Sequence, residues 1–285
     1  MSEEVKPSIR SILETFNIHS GERRQVAEFD KLIEAPNWTA DGERLIFNSQ
    51  GKMHAIDISS GTISPIPTGF AVRCNNDHIL SPDNLQLGIS HHCKEDGSSR
   101  IYVVPTRGGD PMLITAMGPS YLHGWSPDGQ TLVYCAERHG QYDIYAIPAR
   151  GGEERALTAT PGLDDGPEYS PDGKYIWFNS VRTGLMQIWR MQSDGSQPAQ
   201  MTFAEANHWF PHVSPNGAWV VFLSFRVDEV QPHQHPANKH VTLHLMPAQG
   251  GESRPLLDLF GGQGTINVHS WAPDSERFAL VRYEV

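Results

Sequence analysis

The sequence predicts an all-β protein, a six-bladed β-propeller of four-stranded antiparallel blades that occupies residues 1–285 as one domain. Three observations carry that prediction. One short phrase recurs along the chain, each recurrence opens the same succession of strand-like runs, and the two ends of the chain complete one another.

The phrase reads WTADG at Trp38–Gly42, LSPDN at Leu80–Asn84, WSPDG at Trp125–Gly129 and YSPDG at Tyr169–Gly173, then VSPNG at Val213–Gly217 and WAPDS at Trp271–Ser275. Measured between the third residues (Ala40, Pro82, Pro127, Pro171, Pro215, Pro273), the steps are 42, 45, 44, 44 and 58. A period of about 40–50 residues is the length of a WD40-like propeller blade or of a solenoid turn.

Within a repeat the order is constant. In the third, Tyr121–Trp125 reads as strand A, Ser126–Gly129 as a Pro/Asp/Gly turn and Thr131–Ala136 as strand B. Glu137–Gln141 is then a loop, Asp143–Pro148 strand C, Gly151–Gly152 a hairpin turn and Arg155–Thr158 strand D. Four short β-rich runs separated by turn residues make one blade. The second and fourth repeats follow the same order, and the aromatic closing most A strands (Trp38, Trp125, Tyr169, Trp271) reads as packing between blades.

The ends decide between propeller and solenoid. The last repeat holds only an A strand, Ile266–Trp271, and a B strand, Arg277–Glu284. The first residues read as an orphan C–turn–D pair, Ser11–Ile18, Ser20–Gly21 and Gln25–Phe29. Joining 264–285 to 9–29 makes the sixth blade and removes exposed sheet edges. A solenoid would carry capping repeats instead.

Composition narrows the setting. With 33 acidic and 22 basic residues the net charge is −11, and no basic cluster exceeds Arg23–Arg24. Nucleic acid and anionic membranes repel such a chain, so neither is an expected partner. No apolar run approaches the roughly 18 residues of a membrane helix. The opening MSEEVKPS has acids where a secretory leader has positive charge. Three cysteines outside any CxxC pair argue against a disulfide framework, and the expected location is the cytoplasm.

Because successive strands are antiparallel, the A–B and C–D turns share one face and the D–A and B–C loops the other. The first face is monotonous and reads as scaffold; chemistry is expected on the second. The 58-residue step places an insertion there, residues 226–239 (RVDEVQPHQHPANK), with His233 and His235. The segment entering the same blade, ANHWFPHV, adds His208 and His212. These four are the candidate ligands for one divalent metal (Mn, Zn or Ni) in the channel mouth, since neutral imidazole suits such ions. His123 and Glu168 are the candidate acid/base groups, and His78, Asp165, Arg182 and His269 candidate ligand-binding residues. A structural reading stands beside this. His78, His123 and His269 share one register, two before the strand-closing residue, where Pro36, Pro167 and Pro211 stand in the other blades. A repeated position implies a repeated job, such as an imidazole bonding a neighbouring blade's backbone. No nucleophile elbow, P-loop or dinucleotide-binding glycine fingerprint is present, and Cys93 beside His91–His92 is a weak thiol–imidazole candidate.

The SPDG, IYxxP, GG and xxLT elements resemble the TolB-like six-bladed propeller over nearly the whole chain. TolB proper adds an N-terminal domain and a signal peptide, neither of which is expected here, and serves as a hub for protein partners. The resemblance implies a stand-alone binding or interaction module for a protein partner or a small ligand, carbohydrates included. NHWFPHVSPNG and QPHQH also resemble the His-rich metal site of oligogalacturonate lyases, which are TolB-like propellers. That likeness implies the alternative, a metal-assisted β-elimination on acidic sugars, with Arg73, Arg138, Arg182 and Arg226 as candidate partners for the uronate carboxylate.

Overall fold

The computed structural model describes residues 9–285. Residues 1–8, on which the expectation about the start of the chain partly rests, lie outside the described residues. Five four-stranded antiparallel sheets follow in chain order, one per repeat, with A strands Glu34–Trp38, Cys74–Leu80, Ser120–Trp125, Asp164–Tyr169 and Asn207–Val213. The sixth blade is closed by both termini. Arg277–Glu284 pairs antiparallel with Arg10–Asn17 from Arg10↔Glu284 to Asn17↔Arg277, and Arg23–Phe29 completes the sheet. Buried Glu14 ties these three strands together, reaching Arg23 at 2.6 Å on one side and Arg282 at 2.9 Å on the other. Among the described residues no helix is long and apolar enough to cross a membrane.

The recurrent phrase folds as its chemistry dictates. In blades one to five the Ser or Thr hydroxyl bonds the acid or amide two residues on, and accepts the first N–H of strand B in blades one to five: Ser126 to Asp128 at 2.5 Å and from Thr131 at 2.9 Å is typical. Blade six has Ala272 in place of that serine, and Asp274 supplies the side-chain bonds of the turn, accepting the Glu276 and Arg277 N–H groups. The fifth position has φ near +70°, as at Gly129 (72°) and Gly173 (70°), which is why glycine recurs there.

The core is distributed between blades. Successive B-strand residues point to opposite sheet faces, so Leu132, Tyr134 and Ala136 pack toward blade two while Val133 packs toward blade four. Six such clusters occupy the six interfaces around the ring. Trp38, Trp125, Tyr169 and Trp271 belong to or pack against these clusters, as expected of inter-blade packing.

One predicted strand is largely missing. Ile266–Trp271 contributes a single bridge, Trp271↔Phe278, after a 3-10 turn at Gln263–Thr265. Side chains there bond locally or across to blade two instead of extending a ladder: the Gly262 N–H donates to Thr265 Oγ1, and Asn267 Nδ2 donates to Asp77.

Candidate functional site

The A strands of successive blades are neighbours around the axis. Each of the first five carries a register irregularity in its first half, for instance between Asp165 and Glu168 and between Trp209 and His212. Where the register position holds proline, the residue before it is left-handed: Ala35 at 57°, Gly166 at 62°, Phe210 at 54°. The bulge re-aims the residues before it. At the D–A/B–C end the channel opens into a cavity of about 760 Å³ lined from all six blades, within the usual range for small-ligand sites.

Its floor is a cluster of acids and imidazoles. His123 Nε2 lies 3.3 Å from Asp165 Oδ1 and 3.6 Å from Asp77 Oδ1, all three side chains buried. His235, on the blade-five insertion, brings Nε2 to 3.8 Å from Asp165 Oδ2 and lays its ring against Trp209 and Phe210. Asn267 Nδ2 donates to Asp77 Oδ1 at 2.7 Å. Burial alone would lower the His123 pKa, but the Asp165 and Asp77 carboxylates outweigh it and the value is raised. Burial acts upward on Asp165, yet His123 and His235 hold it below the usual carboxylate range. Burial prevails at Asp77, which is raised. Glu34, pushed up by burial and then by the Asp77 charge, reaches about 7.

A second cluster lies deeper. Glu168 stands three residues beyond Asp165 along the same A strand, on the far side of the bulge. One carboxylate oxygen takes the Val213 N–H at 2.9 Å and His269 Nδ1 at 3.0 Å, and the other takes His212 Nδ1 at 2.7 Å. His212 Nε2 meets the Ile266 carbonyl, and Trp271 Nε1 donates to the His212 carbonyl at 2.9 Å. Burial would raise Glu168, but the His269 and His212 charges and hydrogen bonds bring it down to about 2. It is a saturated carboxylate. Asn37, at the equivalent place in blade one, does the same job: its Oδ1 takes the Leu80 N–H at 3.0 Å and its Nδ2 donates to the His269 carbonyl.

The sequence candidates therefore separate. His123, Asp165, His233 and His235 meet at the mouth. His212, Glu168 and His269 form the deeper clamp. His208 joins neither; its ring packs on Phe222 and His244, and burial followed by the His244 charge lowers its pKa to about 3. The four histidines expected to share a metal thus lie in three environments, because the A strand of blade five aims His208 and His212 apart and the insertion carries the other two over the mouth. Among the described residues no group of three or more His, Cys, Asp or Glu side chains is arranged to hold a metal ion.

The common job expected of the histidine register is likewise replaced by three. His123 joins the mouth, His269 the clamp, and His78 is buried with neither ring nitrogen in a geometric hydrogen bond, its pKa lowered by burial to about 4. Arg182 faces neither site: Nη2 holds Asp164 at 2.8 Å and the guanidinium lies over Trp189 and Phe178. Cys93 Sγ approaches Tyr102 Oη at 3.3 Å rather than the His91 ring, and all three cysteines are buried and free.

Glu34, Asp77 and Asn267 were not among the expected site residues, yet a signal existed. Glu34, Asn76, Tyr121, Asp165 and Asn267 all stand four before the strand-closing residue, and all line the mouth. Four of those five are polar or acidic in the innermost strand of a blade, where apolar packing would be the default.

Comparison with known proteins adds the following. The TolB beta propeller domain model matches residues 123–257. The chain is 47% identical over 278 residues to an uncharacterized protein of Agrobacterium fabrum, covering 97% of this chain and 93% of that one. A solved structure from Agrobacterium tumefaciens, ascribed to TolB, superposes with a TM-score of 0.94 at 45% identity over 98% of this chain and all of the other. TolB from Acinetobacter baumannii gives 0.65 at 20% identity, over 86% of this chain and 65% of that one. An oligogalacturonate lyase in complex with manganese gives 0.57 at 14% identity, over 87% and 72%, a likeness of fold alone.

Proposed function

The chain belongs to the TolB-like β-propeller family, and on that premise we propose that it is a binding module that takes a small ligand, or a projecting segment of a protein partner, in the mouth of its channel. One observation carries the reading: a cavity of about 760 Å³ to which every blade contributes. Polar groups converge there from separate blades on a rigid ring, the arrangement expected of a preformed site. The cytoplasmic setting belongs to the same proposal, supported by three buried cysteines that form no disulfide.

The uronate-lyase alternative draws less support. None of Arg73, Arg138, Arg182 and Arg226 lines the cavity. Arg138, Arg182 and Arg226 are held by Glu154, Asp164 and Asp228 respectively, and Arg73 donates to the Cys93 carbonyl. Glu168, as a carboxylate held at about 2 with every oxygen occupied, is suited to holding blades together rather than to exchanging protons.

The test is a saturation-transfer NMR screen of neutral, cationic and anionic fragments against the wild type and against Asn75→Trp, which plugs the mouth from a partly exposed position. Hits that the plug abolishes are expected. Hits that persist unchanged in the plugged protein, or no hits of any charge, would overturn the reading.

A further inference from the structure

We propose that the mouth is a site for an organic cation, an ammonium or guanidinium group held between Asp77, Asp165 and Glu34 and the side-chain oxygens of Asn48 and Asn267. This rests on the mouth-binding reading above and specifies the chemistry of the occupant.

The cavity offers acceptors that lack donors. The cavity is lined by three buried or nearly buried carboxylates and by no lysine or arginine. Asn48 is 3% exposed and Asn267 fully buried; both line the cavity, and the Oδ1 of each has no hydrogen-bond partner. Buried acceptors are normally paired, so two amide oxygens left open beside three carboxylates describe a cradle built for a donor-rich guest. Asn267 is anchored through its other atom, Nδ2 to Asp77, which fixes its orientation.

Charge points the same way. Within the cluster only the imidazoles of His123 and His235 offset the acids. The carboxylate Glu34 is driven toward its neutral form by burial and by Asp77, which is the response of a negative site without its counter-charge. An incoming cation supplies that charge. The walls fit as well: Tyr121, Tyr142 and Phe210 line the cavity, and aromatic faces attract ammonium and guanidinium groups. An anionic guest would add to the negative charge, and a neutral one, even if its hydroxyls reached the open carbonyl oxygens, would leave that charge uncompensated.

Calorimetric titration with agmatine, which carries an ammonium and a guanidinium, tests this against 1,4-butanediol and glutarate as neutral and anionic counterparts. Agmatine is expected to bind at least about tenfold more tightly than either. Asp77→Asn and, independently, Glu34→Gln are each expected to weaken agmatine about tenfold, with near-UV circular dichroism checking that each variant is folded. A capped Gly-Arg-Gly peptide separates sources: binding by the peptide assigns the site to a projecting side chain, and binding by agmatine alone assigns it to a free amine. Equal or tighter binding of the diol or glutarate at a mouth that Asn75→Trp blocks would overturn the cation inference and leave the mouth reading standing. Displacement of agmatine by Mn²⁺ alone, bound more tightly than agmatine, would overturn it in favour of a metal. Failure of all probes would remove both.

Discussion

Two acid–imidazole clusters lie along one A strand of this propeller, and they differ in what they leave unfinished. Around Glu168 both carboxylate oxygens have close partners: Val213 N–H and His269 on one, His212 on the other, with Trp271 locking the strand behind. Around Asp165 and Asp77 the imidazole contacts are longer, 3.3 to 3.8 Å, and amide oxygens stand open beside them. The same residue types therefore make a structural clamp in one place and a receptive cavity in the other. Completeness of hydrogen bonding, rather than residue identity, separates scaffold from site.

The largest effect that could break this contrast is Glu168→Ala. It leaves a buried N–H and two imidazoles without their acceptor, and about 3–5 kcal/mol of destabilisation is expected, read as a fall in Tm of roughly 10 °C. Glu168→Gln keeps an acceptor for the Val213 N–H and falls less. An unchanged Tm for the alanine variant would show that the clamp holds nothing.

Acidification ranks next. His78 and His208 have folded pKa values of about 4 and about 3, below their unfolded values near 6.5. Between those limits the unfolded chain binds the extra protons. Stability is therefore full above pH 6.5 and falls as pH drops toward 4, by on the order of 1.4 kcal/mol per pH unit for each group. The Glu168 contribution is full above about 4.5 and is lost progressively as pH falls from there through about 2. Glu34 acts in the opposite sense: with its folded value raised to about 7, its contribution is present at low pH and is lost as pH rises through 7. Urea midpoints from pH 4 to 7 measure the sum, and His78→Leu should flatten the slope.

Asp165→Asn sharpens the comparison from the other side. Removing one negative charge from a cavity that also holds Asp77 and Glu34 relieves as well as costs, and a loss of less than about 1.5 kcal/mol is expected. A collapse like that of Glu168→Ala would make the mouth a second clamp. The smallest effect belongs to His233→Ala. The ring is exposed on the insertion, so stability should stay within about 0.5 kcal/mol, and any Mn or Zn retained by the wild type should be retained equally by His208→Gln, since His208 and His233 do not converge.

Much of the fold was legible because it is written in local chemistry. A hydroxyl, an acid two residues later and a glycine make a turn whatever surrounds them, and six recurrences of that phrase, with one or two of its residues replaced in blades two, five and six, count the blades. Closure was legible because orphan strands at one end match missing strands at the other. The A strand of blade six was misread: Ile266–Trp271 has strand composition, but Thr265 and Asn267 spend their side chains on local and inter-blade bonds. The site was half legible. His123, Asp165, His233 and His235, all candidates from residue type, line one mouth, whereas His208, His212 and Arg182, candidates on the same ground, do not. A histidine count carries no information about direction, and the bulge in each A strand decides direction.

By itself, then, the amino-acid sequence determined the all-β architecture, the number of blades, the shared closure of the sixth and the face on which the insertion lies, since each follows from turn chemistry, period and strand alternation. Only the tertiary structure decided that Glu168 is a clamp, that Arg182 serves Asp164 and that Glu34, Asp77 and Asn267 belong to one cavity. Those residues come from different blades, and nothing local to any of them records which neighbours the closing of the ring will bring within hydrogen-bonding distance.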